Sequence, residues 1–366
     1  MKRKWIQKVM AVVLTLTLAM GLMACGSKEE APAEAPAAEE TAETPEAEEA
    51  TETSSGDKCT IVIIPKLVHE FYNLFLDGAN QAVAELAEEG KEVEVIWNAP
   101  TQADVVEQTE KLEAAIAMNP DYIVISVIDG ESCRPLIEQA QAAGIKVIDA
   151  DTTYENSPAD AFVGCSLEAQ YESGKMHADQ LVKMIGKDEG KVAMLIGSPD
   201  AENHIQFSSG FRDRMAEAYP GYEIVTEQAD NDNKEKATQL TEAILAQYPD
   251  IDGIFGGNGS AGVGAAIALE SAVQAGQIKE GQVYISNVCL MPDPEAALRS
   301  GYLSCIIDYS PWWIGYYATE IAAADKFDGI PLQDVDMQFA IVTMENLDSY
   351  DYGALMEEKN IEYWKQ

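Results

Sequence analysis

The sequence predicts an α/β protein built on parallel sheets, and three observations carry that prediction. Apolar runs of strand length recur along the chain, helical patterns lie between them, and the connections are short. Strands that read as unbroken apolar runs are buried on both faces, as they are when helices cover both sides of a parallel sheet. The runs span 60–64, 93–97, 122–127, 146–150, 192–196, 253–255, 283–286 and 303–307. Phe71, Phe75, Ala79, Ala82, Val83 and Leu86 recur at helical spacing, as do Leu240, Ile244 and Leu245. Asn119-Pro120, Gly144 and Pro249-Asp250 mark turns. Repeated βα units imply right-handed crossovers and a doubly wound sheet. The part that can fold exceeds one ordinary core, so two such domains are expected.

Charge narrows the function. The chain has 366 residues, 47% of them hydrophobic, with 63 acidic and 24 basic side chains and a net charge of −39. A core of good size is available, and a surface this acidic is unsuited to nucleic acid or to anionic lipid, which need basic groups to displace counterions.

The beginning of the chain says where it works. Residues 1–24 read as an export signal, with a basic start from Met1 to Lys8 and an apolar stretch from Val9 to Ala24. That stretch is shorter than the roughly 20 residues of a spanning helix. It ends in Leu22-Met23-Ala24-Cys25, which resembles a bacterial lipobox. The resemblance implies that Cys25 is lipidated, becomes the mature N-terminus and anchors the protein outside the cell membrane. Residues 25–57, rich in Ala, Glu, Pro and Thr without an aromatic, read as a disordered tether reaching at most about 100 Å. Of the other cysteines, Cys59, Cys133, Cys165, Cys289 and Cys305, none forms a C-x-x-C pair, and buried thiols are expected.

Ligands of parallel sheets bind beyond the carboxyl ends of the strands, so the loops there decide the chemistry. Gly257-Asn258-Gly259-Ser260-Ala261-Gly262 matches G-x-G-x-x-G between a strand and a helix. It follows a late strand, and the next strand ends Ser286-Asn287-Val288 without an acid for a ribose, so a glycine-rich helix start is the better reading. Asp230-Asn231-Asp232-Asn233 continues with Lys234 and Glu235 where a calcium loop needs a ligand and a glycine, and reads as a turn with a helix cap. His69 and His204 lie in ligand-side loops, while His177 lies within a helix as a surface or packing residue. No H-E-x-x-H, G-x-S-x-G or Walker A motif occurs, so neither a metal nor a cofactor is expected. An exported enzyme whose triad assembles across distance is a minor reading.

From about residue 60 to 342 the order of elements resembles the sugar-binding solute receptors of bacterial ABC importers, which have the type I periplasmic-binding fold. The residues that carry the resemblance are Thr60–Val68 (TIVIIPKLV), Phe71-Tyr72, Asp77-Gly78, Gly144–Asp151 (GIKVIDAD), Ser208–Phe211 (SSGF) and Pro249–Phe255 (PDIDGIF). Ile64–Val68 and Asn98–Thr101 look closest to the branch of the autoinducer-2 receptor. The resemblance implies two doubly wound domains joined by three hinge crossovers. One would be 58–168 with 310–338, the other 169–309 with 339–366. Lys66 and Asp151 match polar contacts of the autoinducer branch, whose Asp-Gln pair becomes Asn203-His204 here, and whose Pro and Ala contacts become Gly257 and Gly259. Phe71, Tyr72 and Asn258 match contacts of ribose receptors, whose arginines are replaced by Thr152 and Phe207 and whose aspartate is replaced by Cys289.

A sugar shows flat C–H faces and a rim of hydroxyls, so its receptor needs aromatic platforms and fixed polar groups. Phe71, Tyr72, Tyr309 and Trp312 can supply platforms, and Lys66, Asp151, Asn203, His204 and Asn258 the rim. Core packing is the alternative for the aromatics and the favoured reading of Trp313; Lys66 could instead be a solvated surface amine. The expected protein is a monomeric, tethered receptor that captures a carbohydrate-like ligand and presents it to an ABC permease. A sensor that presents its liganded shape to a signalling partner is the other reading.

Overall fold

The computed structural model describes residues 58–359 and 362–365. Strands β1 (Cys59–Ile64), β2 (Val93–Trp97), β3 (Tyr122–Ile125), β4 (Lys146–Asp151) and β5 (Ala161–Gly164) come first, with helices α1 (Glu70–Glu88), α2 (Val105–Met118) and α3 (Gly130–Ala142) between them. A second run follows: α4 (Leu167–Ile185), β6 (Gly190–Leu195), α5 (Glu202–Ala218), β7 (Tyr222–Gln228), α6 (Lys234–Gln247) and β8 (Gly253–Gly256). It continues through α7 (Ala261–Gln274), β9 (Tyr284–Val288), α8 (Pro292–Ser300) and β10 (Cys305–Asp308). The last elements are α9 (Pro311–Ala323), β11 (Val335–Asp336), β12 (Ala340–Val342) and α10 (Tyr352–Lys359).

The strands form two six-stranded sheets, ordered β2-β1-β3-β4-β5-β11 and β7-β6-β8-β9-β10-β12. Every pairing is parallel except β10 with β12. The expected α/β class with two doubly wound sheets is what the chain adopts. The chain passes from the first sheet to the second after β5, returns between β10 and α9, and passes again between β11 and β12.

Alternation along the strands explains why both faces are covered. In β1, Ile61 and Ile63 join the core that includes Phe75 of α1 and Ile314 of α9. Val62 and Ile64 point the other way, into the core of Leu112 from α2 and Ile137 from α3. Side-chain oxygens of Asp104, Asp129, Ser166 and Asn233 accept first-turn N–H groups and so fix where α2, α3, α4 and α6 begin.

One helix pair in each half crosses through glycines. A Cβ on Gly78 would lie 1.8 Å from the Trp312 carbonyl oxygen, and one on Gly315 would lie 1.9 Å from that of Phe75, so α1 and α9 touch backbone to backbone. Gly174 and Gly210 do the same for α4 and α5, with hypothetical Cβ atoms 2.2 Å from the Phe207 oxygen and 1.9 Å from the Tyr171 oxygen.

The C-terminal residues depart from a simple assignment to the second sheet. Trp364 packs its ring against Tyr317 of α9, with centroids 5.2 Å apart, and the Gln333 N–H donates to the Tyr363 hydroxyl at 2.8 Å. Cys59, Cys133, Cys165, Cys289 and Cys305 are buried free thiols. Among the described residues no helix is long and apolar enough to cross a membrane. The signal segment 1–24, Cys25 and the tether 25–57 lie outside the described residues.

Candidate functional site

In a doubly wound sheet the connections diverge to opposite faces beside the first strand, and a crevice opens at the carboxyl ends there. Here loops from the carboxyl ends of both sheets line one cavity of about 60 Å³. Each side contributes residues for a local reason.

On the first side, Pro65 offers no backbone donor and follows the last residue of β1, leaving Lys66 at the cavity wall. The Lys66 ammonium donates to Thr152 Oγ1 at 2.7 Å and lies 3.8 Å from Asp151 Oδ2. Burial pulls the Lys66 pKa below the ordinary lysine value, with the carboxylates of Asp151 and Asp232 opposing. The expected alternative for Lys66, a solvated surface amine, is overturned: the residue is 8% exposed.

Asp151 ends β4 with φ of 67°, in the left-handed region that aspartate tolerates better than most residues. Its Oδ2 accepts the Tyr72 hydroxyl and the Thr152 hydroxyl, each at 3.0 Å, and its Oδ1 accepts the Tyr309 hydroxyl at 3.3 Å. Burial, with the Asp151 charge added, pushes both phenols above the ordinary tyrosine pKa, so each stays a donor at neutral pH. Phe71 meets Tyr72 edge to face at 5.0 Å and lies 5.8 Å from the Tyr309 ring. The result is an aromatic wall beside a carboxylate.

On the second side, Asn203 and His204 occupy the first turn of α5. Asn203 Oδ1 accepts from Lys66 at 3.2 Å, across the two halves. The Ser198 N–H donates to His204 Nδ1 at 2.9 Å, so the neutral ring carries its hydrogen on Nε2, 3.6 Å from Asp232 Oδ1. Asn258 follows β8 and donates from Nδ2 to Asp230 Oδ1 at 2.8 Å. Burial raises the pKa of Asp230, with the Asn258 hydrogen bond opposing.

The glycine-rich motif has its donors already committed. Asn258 Oδ1 accepts the N–H groups of Ser260 and Ala261, each at 2.9 Å, and Asn287 Oδ1 accepts that of Gly262 at 2.9 Å. A Cβ on Gly262 would lie 2.5 Å from the Asn287 amide, so this glycine serves close side-chain approach. The first N–H groups of α7 are therefore spent within the protein rather than held out for a phosphate. His177, also singled out by sequence, is buried: its Nδ1 lies 2.6 Å from Ser286 Oγ and its ring packs edge to face on Phe255.

Eight of the nine expected contact residues line the cavity: Lys66, Phe71, Tyr72, Asp151, Asn203, His204, Asn258 and Tyr309. Trp312 does not. Its backbone carbonyl sits against Gly78 and its ring stacks on Tyr316 at 5.3 Å and 13°, so the indole belongs to the aromatic packing of α9. Trp313 packs there too, against Tyr317. Leu67, Asp232, Val288 and Met291 also line the cavity; sequence reasoning places them in the ligand-side loops 66–72, 230–233 and 288–291 without singling them out as contacts. Asp232 belongs to one of those loops and to the sequence first compared with a calcium loop, where its acidity alone does not mark it as a contact.

Residues 60–325 match the model of the periplasmic binding protein domain. The chain belongs to that family. Among its relatives, this binding protein is 28% identical over 225 residues to a D-ribose/D-allose-binding protein of Pseudomonas aeruginosa, covering 60% of this chain and 68% of the relative. It is 27% identical over 232 residues to a ribose import binding protein of Bacillus subtilis, covering 63% and 71%. In structure it resembles an ABC transporter periplasmic solute-binding protein from Actinobacillus succinogenes with bound D-allose, at a TM-score of 0.71 and 26% identity over 80% of this chain and 100% of the other. A solute-binding protein from Agrobacterium vitis bound with α-D-tagatopyranose gives 0.69 and 26% over 79% and 96%.

Proposed function

We propose that the protein is an extracytoplasmic solute-binding lipoprotein that captures one small neutral sugar or polyol per chain and delivers it, chemically unchanged, to an ABC permease. The cavity carries this reading. Aromatic faces from Phe71, Tyr72 and Tyr309 stand beside a rim of Lys66, Asp151, Asn203, His204 and Asn258, the pairing that a sugar's C–H faces and hydroxyls require. The committed N–H groups at the start of α7, together with the carboxylates of Asp151 and Asp232, favour a neutral ligand over a phosphorylated one. The ligands named for the relatives, ribose, allose and tagatose among them, are of this kind.

A cavity of about 60 Å³ holds a few water molecules, less than a sugar ring fills. The two halves therefore part to admit ligand, the segments 58–168 and 310–338 swinging against 169–309 and the strand that follows 338. Lipidated Cys25 anchors the protein at the membrane, residues 25–57 tether it, and it works as a monomer. Thermal-shift screening against D-ribose, D-allose, D-xylose, D-tagatose, xylitol and myo-inositol tests the reading. A concentration-dependent rise in Tm with at least one of them, and recovery of that compound unaltered, is expected; no shift with any, or a converted product, overturns it.

A further inference from the structure

His69 holds a position that the contact pattern of the site does not account for. It is the N-cap of α1, where its Nδ1 accepts the Phe71 N–H at 3.2 Å. Nδ1 is thus an acceptor, and the neutral ring must carry its hydrogen on Nε2. Nε2 lies 3.2 Å from Ser260 Oγ, and Ser260 is the residue that precedes α7 in the other half of the molecule. One imidazole therefore ties the start of a helix on one side of the cleft to the start of a helix on the other.

We propose that His69 is a positioning residue that latches the closed cleft through Ser260, and that protonation of its ring releases the latch, so that ligand is held at neutral pH and let go in acid. This rests on the solute-capture reading above. Adding a proton to Nδ1 leaves the Nε2–H donor in place but abolishes the acceptor for the Phe71 N–H and puts a positive charge at the N-terminal end of α1, where the helix dipole opposes it; the ring is driven out of the cap and carries Nε2 away from Ser260.

The surroundings agree in sign. Burial lowers the His69 pKa from the ordinary 6.5, and Lys234 at the start of α6 lowers it further, while Asp232 opposes. Glu70 on α1, Glu235 on α6 and Asp293 on α8 line the outer mouth of the cleft beside His69, and Lys66, Asp151 and His204 line the cavity with it. Asp293 is engaged by Lys234 at 2.6 Å. When the halves part, the ring meets water and its pKa returns toward 6.5. The closed form thus binds fewer protons than the open form, and its advantage, complete above about pH 6.5, is lost as pH falls below that value.

The test measures Kd by calorimetry at pH 7.5, 6.5 and 5.5 for the tightest sugar or polyol of the panel above. In the wild type, Kd should rise about tenfold between pH 7.5 and 5.5. His69→Asn keeps a good N-cap, cannot titrate and is too short to bridge; it should bind several-fold more weakly at pH 7.5 and lose most of the pH slope. Ser260→Ala leaves the cap intact and should weaken binding at pH 7.5 by a similar factor. A wild-type Kd that is flat across this range, or a His69→Asn protein with the wild-type slope, overturns the latch. If nothing in the panel binds, the capture reading fails separately. The latch is then read from the proton NMR titration of His69 in a variant whose cleft is held closed by a disulfide engineered between the two halves, where a pKa below 6.5 supports it and an unshifted one overturns it.

Discussion

Lys66 and Asn203 come from opposite halves of the molecule and meet, Nζ to Oδ1, at 3.2 Å. The same ammonium reaches Asp151 through Thr152, so a single side chain links the carboxylate of one half to the amide of the other. Replacing Lys66 by Met removes a charged donor and leaves buried acceptors unpaired. Sugar affinity should fall about 10- to 100-fold by calorimetry, with the thermal stability of the free protein less affected, because the open cleft lets water reach those acceptors.

Asp151 gathers three hydroxyl donors and one ammonium. In Asp151→Ala the buried phenols of Tyr72 and Tyr309 lose their acceptor. Binding should weaken by about 2–5 kcal/mol. An affinity equal to the wild type's would remove Asp151 from the site.

Closure has a direct readout in small-angle scattering. The radius of gyration should fall when a saturating ligand is added, because contacts from both halves favour the closed form. Superimposable curves with and without ligand would count against closure. Trp312 stands outside the cavity, so tryptophan emission should respond weakly to ligand compared with the scattering.

A buried carboxyl offers a stability test away from the cleft. Asp149 is fully buried, and burial raises its pKa to about 6 despite hydrogen bonds from Ser157 and Thr153. Its folded pKa lies above the unfolded one, so its ionisation costs stability as pH climbs from 4 through 6. Asp149→Asn should raise Tm at pH 8, corresponding to roughly 1–3 kcal/mol, and should have little effect at pH 4. An equal effect at both values would show that packing, not charge, controls this position.

Anchoring is tested by Cys25→Ser, which should move the protein from the membrane fraction into the soluble one. Retention of the mutant on membranes after a salt wash would refute lipidation there.

Much of the fold was legible because strands covered on both faces are largely apolar, as β3 is throughout and β1 is apart from Thr60. β7 went unrecognised since it lies at a sheet edge, where Glu223 and Glu227 alternate with half-buried residues and break the apolar run. β11, two residues long, is too short to register as a run. The site was readable where a residue stands within two positions of a strand's carboxyl end, as Lys66 and Asn258 do. Trp312 misled because a residue just after β10 is near the crevice in sequence, while the contact of its carbonyl with Gly78 fixes the turn that carries its ring elsewhere. Met291 and Val288 were marked only by their place in the loop after β9, since an apolar side chain there reads equally as core.

The left-handed backbone at Asp151 bears on how such a receptor can change its preference over evolutionary time. A side chain held at φ of 67° is restricted to aspartate, asparagine or glycine unless about 1–3 kcal/mol of strain is accepted. The carboxylate that organises one wall is therefore nearly frozen by geometry, whatever the ligand. Asn203 and His204 stand on ordinary helical backbone, where substitution meets no such barrier. Divergence toward new ligands is channelled to the α5 side of the cleft, with the β4 side passed on almost unaltered.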